Sequence, residues 1–194
     1  MKTILDAIGN TPLINIEGIW VKMEFMNPSG SIKARIAKYM IERAEAEGLL
    51  QPGDTIVEAS SGNTGNAMSM VAAVKGYKML VIMPDGMSPE RTAISEAFGA
   101  EVVQLSVGPE LFFMFLKLLD ETGYFNASLY LPYGIKGIET LGHEIANELL
   151  RTEGKYPEAV VITNAGGGNL TGTARGLKDA GAINTKIIAA SVNL

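Results

Sequence analysis

The sequence predicts an α/β fold with parallel sheet covered by helices, and three observations predict it. From residue 55 onward, short apolar runs alternate with longer stretches of helical apolar spacing. Gly48, Gly76 and Gly99 stand where helical stretches end, the position glycine takes after a last helical turn. Two glycine-containing turns, at 58–65 and 164–172, each join a strand run to a helical run.

Taken in order, Gly9-Asn10-Thr11-Pro12 is a turn, followed by an antiparallel pair at 13–16 and 19–22 around Glu17-Gly18. Residues 32–46 have helical spacing and end near Gly48. A strand at 55–58 precedes a helix at 64–75; a strand at 78–83 precedes a helix at 89–98. Residues 101–105 read as strand and 110–121 as helix, then 129–131 as strand and 138–150 as helix. The last block reads strand, helix, strand at 159–162, 170–180 and 187–192. No repeat and no low-complexity linker interrupts this order. A boundary is expected near 133–137, where a separate βαβ block begins. A parallel strand so near the end of the chain predicts either an edge position or a fold incomplete at its C-terminal side.

Composition narrows the chemistry. The chain has 194 residues, 47% hydrophobic and 19% charged, enough for a substantial core. No apolar run reaches membrane-helix length, and the first eight residues lack a secretory pattern, so a cytoplasmic protein without membrane contact is expected. With no cysteine and one histidine, His143, thiolate and multi-histidine metal sites are excluded. A net charge of −5 without a Lys/Arg block argues against nucleic acid. Chemistry must come from lysine, hydroxyls, carboxylates or a cofactor.

Two candidate anion cradles stand out. The first is Glu58-Ala-Ser-Ser-Gly-Asn-Thr-Gly65, where Ser60, Ser61 and Thr64 add hydroxyls to the free N–H groups of a helix start. The second is Asn164-Ala-Gly-Gly-Gly-Asn-Leu-Thr-Gly172, where successive glycines let backbone approach an anion closely. The plain alternative is a pair of ordinary strand-to-helix turns. A dinucleotide site is a weaker match, because residues 187–194 offer no acid for a ribose, and no Walker A sequence exists. Between the hairpin and the first cradle, Asn27-Pro-Ser-Gly-Ser-Ile-Lys-Ala-Arg35 predicts a tight turn, Ser31 as helix cap and Lys33 in the first helical turn. A cation is disfavoured there by the helix dipole, and neutralisation as an imine is one reason to keep it. A solvated surface lysine is the alternative. His143, Trp20 and Met23 read as structural, Glu58 as a strand-end cap, and Phe112, Phe113, Phe115 and Leu116 as a core or interface stripe.

The ordered motifs Ile8-Gly-Asn-Thr-Pro-Leu13, Asn27-Pro-Ser-Gly-Ser-Ile-Lys33, Ser61-Gly-Asn-Thr-Gly65, residues 73–77 and residues 167–172 resemble those of cysteine synthases. These are fold-type-II, tryptophan-synthase-β-like enzymes dependent on pyridoxal 5′-phosphate. The resemblance implies a three-layer parallel-sheet fold, with a smaller domain at 35–135 and a large cofactor domain from 1–34 with 136–194. It implies Lys33 as the Schiff-base lysine, Asn63 on the cofactor's 3′-oxygen, and Ser60, Ser61, Asn63 and Thr64 on the substrate carboxylate. It also implies Gly166, Gly167, Gly168 and Asn169, with Ala165, on the phosphate. Residues 99–190 look more like the β subunit of 2-amino-4-oxopentanoate thiolase, as though two relatives met near residue 100. Ala34 stands where cysteine synthases usually carry aspartate, and their carboxylate-binding glutamine has no match around 131–134. Members of the group continue for about a hundred residues more, in a stretch that supplies the hydroxyl partner of the pyridine nitrogen. The implied activity is β-replacement or β-elimination on an O-activated serine-type amino acid, in a homodimer. The alternatives are a thiolase-type subunit needing a partner chain, or a shortened protein with little activity.

Overall fold

The computed structural model describes residues 2–60, 62–106 and 108–191. The chain begins with an antiparallel hairpin, β1 (Leu13–Ile16) and β2 (Ile19–Lys22), turned by Glu17 and Gly18, both at positive φ. Helix α1 (Lys33–Ala46) follows. Then β3 (Thr55–Ala59), α2 (Asn63–Lys75), β4 (Lys78–Pro84), α3 (Pro89–Ala97), β5 (Glu101–Leu105) and α4 (Pro109–Thr122) alternate. A two-residue strand, β6 (Phe125–Asn126), leads through a 3-10 turn into α5 (Leu131–Glu153). The chain closes with β7 (Ala159–Thr163), α6 (Gly168–Asp179) and β8 (Lys186–Ala190).

Strands β5, β4, β3 and β6 form one all-parallel sheet in that order, and β7 pairs with β8 in parallel. The four-stranded sheet lies wholly within 35–135, and the other two sheets lie within 1–34 and 136–194. Its central strands are buried, and Ile56, Val57, Val81 and Met83 are fully enclosed. The main core runs from there to Ala34, Ala37, Met40 and Ile41 of α1 and Met68 and Val71 of α2. Five methionines in this core supply unbranched side chains that fill irregular gaps.

Two expectations need correction. Residues 129–131 are not a strand; the sheet is joined earlier, by Phe125 and Asn126 alongside Ile56 and Val57. Helix α5 begins at Leu131, so it runs unbroken across 133–137. Gly134 and Gly137 look like breaks but are contact positions. A Cβ on Gly134 would lie 2.5 Å from Cγ2 of Ile36, and one on Gly137 would overlap the Arg35 carbonyl. Further along, Gly142 meets the backbone of Thr173 and Leu177, while Gly172 and Gly176 meet Ile138 and Glu139. Glycines thus bring both α1 and α6 against α5 at backbone distance.

A buried ion network locks this arrangement. The Arg35 side chain, 2% exposed, donates to both oxygens of Glu24 at 2.8 Å and to those of Glu144 at 2.6 and 2.7 Å. Lys22 reaches Glu144 at 2.9 Å, and the Asn10 N–H donates to it at 2.9 Å. The N-terminal turn, the hairpin, α1 and α5 therefore share one cluster. Near β7 the packing is open. All five residues of β8 are exposed, and a groove of about 1020 Å³ lies between the hairpin and β7, lined by Leu13, Trp20, Leu141, Ile145 and Ile162. Among the described residues no helix is long and apolar enough to cross a membrane.

Burial alone would raise the Glu144 carboxyl, but Arg35, the Asn10 N–H and Lys22 hold it at about 2, below the ordinary 4.5. A depressed folded pKa stabilises above the unfolded value and is lost as pH falls through the folded one. Arg35→Ala leaves two carboxylates facing each other without their cation. It should cost about 3–5 kcal/mol at pH 7 in urea unfolding. The wild-type loss of stability from pH 4.5 toward 2 should flatten in that variant. A cost under about 1 kcal/mol would show the network to be incidental.

Candidate active site

The site is built where three segments leave or enter helices. At the first, the Pro28–Ser31 turn feeds α1. The helix begins at Lys33, one residue later than a Ser31 cap requires, with Ile32 in the cap position. The Ser31 hydroxyl still accepts the Lys33 N–H, at 3.2 Å. Lys33 is half-buried. Burial lowers its pKa below the ordinary 10.5, and the charge of Glu58 opposes that in part.

Glu58 is the penultimate residue of β3, and the loop 60–62 leaves from that strand end. Its side chain is 2% exposed. Burial pushes the carboxyl up to about 7, while the Ser128 hydrogen bond and the Lys33 charge pull the other way. The Ser128 hydroxyl donates to Glu58 Oε2 at 2.8 Å and accepts the Ala59 N–H at 3.1 Å.

The first cradle is organised by Ser60. Its Oγ accepts the N–H groups of Gly62 and Gly65, at 3.3 and 3.1 Å, so the hydroxyl shapes the loop as well as facing it. Gly65 leaves no room for a side chain, since a Cβ would lie 3.0 Å from Val81. Gly62, in the cap position of α2, offers no side chain; with the Gly65 N–H taken by Ser60 and that of Asn66 by the Gly62 carbonyl, the N–H groups of Asn63 and Thr64 are left for a ligand or water. Asn63 is exposed and Thr64 half-buried at this start. Ser61 lies outside the described residues.

The second cradle joins β7 to α6. Gly167 sits at φ +85°, and no atom lies within 4 Å of a Cβ on Gly166 or Gly167. Helix α6 also begins without a side-chain cap. Asn169 ties the loop down, its amide donating to Thr163 Oγ1 at 3.3 Å and its carbonyl accepting from Thr173. Ala165 and Gly166 are exposed, and a Cβ on Gly168 would lie 3.9 Å from Ile135 Cγ1. Because Gly134, next to Ile135, faces Ile36 of α1, the second cradle and α1 both border the first turn of α5.

These features suit a phosphorylated aldehyde such as pyridoxal phosphate. An open glycine loop at an uncapped helix start accepts a phosphate, and a half-buried amine of lowered basicity accepts an aldehyde. Glu58, its partner Ser128, and Arg91 were not singled out by motif spacing. The Arg91 guanidinium of α3 lies over the first cradle, 3.6 Å from where a Gly62 Cβ would sit. His143 pairs with Asp179 at 3.5 Å between α5 and α6. Trp20 packs half-buried against a cluster that includes Leu13, Leu141, Ile145 and Leu149.

A raised carboxyl pKa stabilises the fold below the unfolded value, and that contribution is lost as pH rises through the folded one. Ionised Glu58 is therefore a burden above about pH 7. Glu58→Gln keeps an acceptor for Ser128 and removes the charge. Relative to wild type, it should gain up to about 3 kcal/mol between pH 5 and pH 8 in denaturant unfolding. A constant difference across that range would contradict this electrostatic account.

Comparison with known proteins places residues 4–193 in a family described as pyridoxal-phosphate dependent enzyme. The 2-amino-4-ketopentanoate thiolase beta subunit of Acetoanaerobium sticklandii is 52% identical over 97% of this chain and 44% of its own length. A cysteine synthase of a Flavobacterium species is 42% identical over 100% of this chain and 66% of its own. The crystal structure of an O-ureido-L-serine synthase superposes with a TM-score of 0.82 at 33% identity, over 97% of this chain and 62% of that one. A hydrogen sulfide-producing enzyme from Fusobacterium nucleatum gives 0.82 at 36%, over 97% and 65%. The chain thus spans under half of the thiolase subunit and about two thirds of the synthase. The thiolase likeness, expected for 99–190, extends over nearly the whole chain, so one relative covers both halves. This chain belongs to the family of pyridoxal-phosphate dependent enzymes, in the cysteine-synthase-like fold-type-II group.

Proposed function

We propose that the chain forms the cofactor lysine, phosphate seat and carboxylate seat of an enzyme that replaces or eliminates a group on an O-activated serine-type amino acid. The carrying observation is Lys33, a half-buried amine of lowered basicity in the first turn of α1. Pyridoxal phosphate, when bound, supplies the electron sink for charge developing at the substrate's α-carbon.

The chain's residues supply the geometry. Backbone N–H groups around Gly166, Gly167, Gly168 and Asn169, with Ala165, take the phosphate at the start of α6. Asn63 takes the ring oxygen. Ser60, Ser61 and Thr64, with the first N–H groups of α2, hold the substrate carboxylate. Lys33 would hold the cofactor, and its neutral Nζ would take the α-proton of a bound amino acid. The two cradles suit a ligand with an anion at each end. The reading includes a cytoplasmic homodimer.

A second reading has its own support. Identity to the thiolase beta subunit is 52% against 42% to the synthase, and Ala34 departs from the synthase pattern. Under it the chain is one component of a 2-amino-4-ketopentanoate thiolase, working with a partner subunit. Turnover of O-acetylserine and sulfide to cysteine by this chain alone would favour the first reading. Turnover of 2-amino-4-ketopentanoate only on adding a second subunit would favour the other.

Borohydride reduction of the protein mixed with pyridoxal phosphate should fix the cofactor on the peptide carrying Lys33. Lys33→Ala should abolish that adduct and the visible absorbance of the bound cofactor. Gly167→Val, at a φ that β-branched residues avoid, should weaken cofactor binding at least about tenfold. An adduct spread over several lysines, and unchanged in Lys33→Ala, would end both readings.

A further inference from the structure

Arg91 is a cation that the proposed function leaves unused, and the fold sets it against the first cradle. Its side chain lies along Gly62, with Nη1 3.6 Å, and Cδ and Cζ 3.7 Å, from where a Cβ on that glycine would stand. Three atoms at nearly one distance mean that the arm runs across the loop instead of pointing past it. Gly62 is the cap residue of α2, so the guanidinium stands beside the turn that presents the N–H groups of Asn63 and Thr64.

Two further contacts fix this placement. Ser95 stands four residues after Arg91 on α3, so the two share one helix face. The Ser95 hydroxyl donates to Asn66 Oδ1 of α2 at 2.7 Å, and both residues are buried. A buried polar pair is costly to break, and this one holds α3 against the first turn of α2. At its tip, Arg91 donates from Nη1 to the Met87 thioether at 3.2 Å, and Met87 packs against the main core. The residue is nonetheless exposed, so a ligand entering the cradle can reach it.

We propose that Arg91 is a specificity-determining residue that reads the charge of the substrate's carboxylate at the first cradle. Backbone N–H groups and hydroxyls serve a carboxylate, but they serve the carbonyl of an amide or ester as well. A guanidinium adds a full positive charge and a planar fork of donors, which a carboxylate matches and a neutral carbonyl does not. The substrate class that follows is a free α-amino acid. Amino-acid amides, esters and the N-terminal residues of peptides are disfavoured.

The proposal rests on the first cradle being the carboxylate seat, and the two readings fail differently. L-serine and L-serinamide, which differ in the carboxylate alone, are titrated into the protein mixed with pyridoxal phosphate, and binding is read from the visible absorbance. In Arg91→Gln the dissociation constant for L-serine should rise at least about tenfold, while that for L-serinamide stays within about twofold. Arg91→Lys keeps the charge without the planar fork and should retain part of the preference. Equal weakening of both ligands in Arg91→Gln, or of neither, overturns the proposal. The chain without cofactor gives a separate reading. Acetate should slow phenylglyoxal modification of Arg91, followed by mass spectrometry of its peptide, and leave exposed Arg151 unaffected. Arg91 labelling that ignores acetate overturns the proposal equally. Cofactor trapped on Lys33 with no split between the two ligands in Arg91→Gln removes the role of Arg91 and leaves the proposed function intact. Acetate shielding of Arg91 in a protein that traps no cofactor does the reverse.

Discussion

The placement of Lys33 depends on Arg35, two residues further along α1. A guanidinium buried to 2% exposure must give its N–H groups to fixed acceptors, and Glu24 and Glu144 each take two of them. Glu24 belongs to the turn after the hairpin and Glu144 to the middle of α5. Neither can move without stranding a charge. The start of α1 is therefore pinned in position and rotation, and with it the direction in which Lys33 leaves the helix. Hydrophobic packing of Ala34, Ala37 and Ile41 would hold the helix to the core but would tolerate a slide along it.

Helix α5 performs the complementary task. Glycines of α5 and α6 let α1 and α6 pack on it at distances that exclude even a methyl group. That contact joins the glycine loop of the second cradle to the segment bearing Lys33, although more than 130 residues separate them in the sequence. The first cradle arrives by a different route, from the carboxyl end of β3, where a parallel sheet offers its ligand side. Two helix starts whose cap residues offer no side chain and one amine of lowered basicity are the features that the proposed function joins.

Most of the fold was legible because strand and helix periods differ and because glycine closes helices visibly. The hairpin, α1 and the β3–α4 alternation lie within a residue or two of the spans read from spacing. The region 125–137 was misread for one physical reason. Gly134 and Gly137 serve helix contact there, and a lone sequence cannot distinguish a glycine that ends a helix from one that lets another helix in. The glycine and hydroxyl clusters were legible as strand-to-helix turns, and each does lie at a helix start. Glu58 and Arg35 were not. A charged residue in an apolar strand or on a helix reveals its burial only when its partners, Ser128 for one and Glu144 for the other, arrive from distant segments.

The central claim is that one ligand with two anionic ends spans both cradles while bonded to Lys33. A crystal structure of this chain grown with pyridoxal phosphate tests it most directly. The account predicts the phosphate against the backbone of residues 166–169, with continuous density from the ring to Nζ of Lys33. A phosphate seated elsewhere, or Lys33 turned away from the space between the cradles, would contradict it.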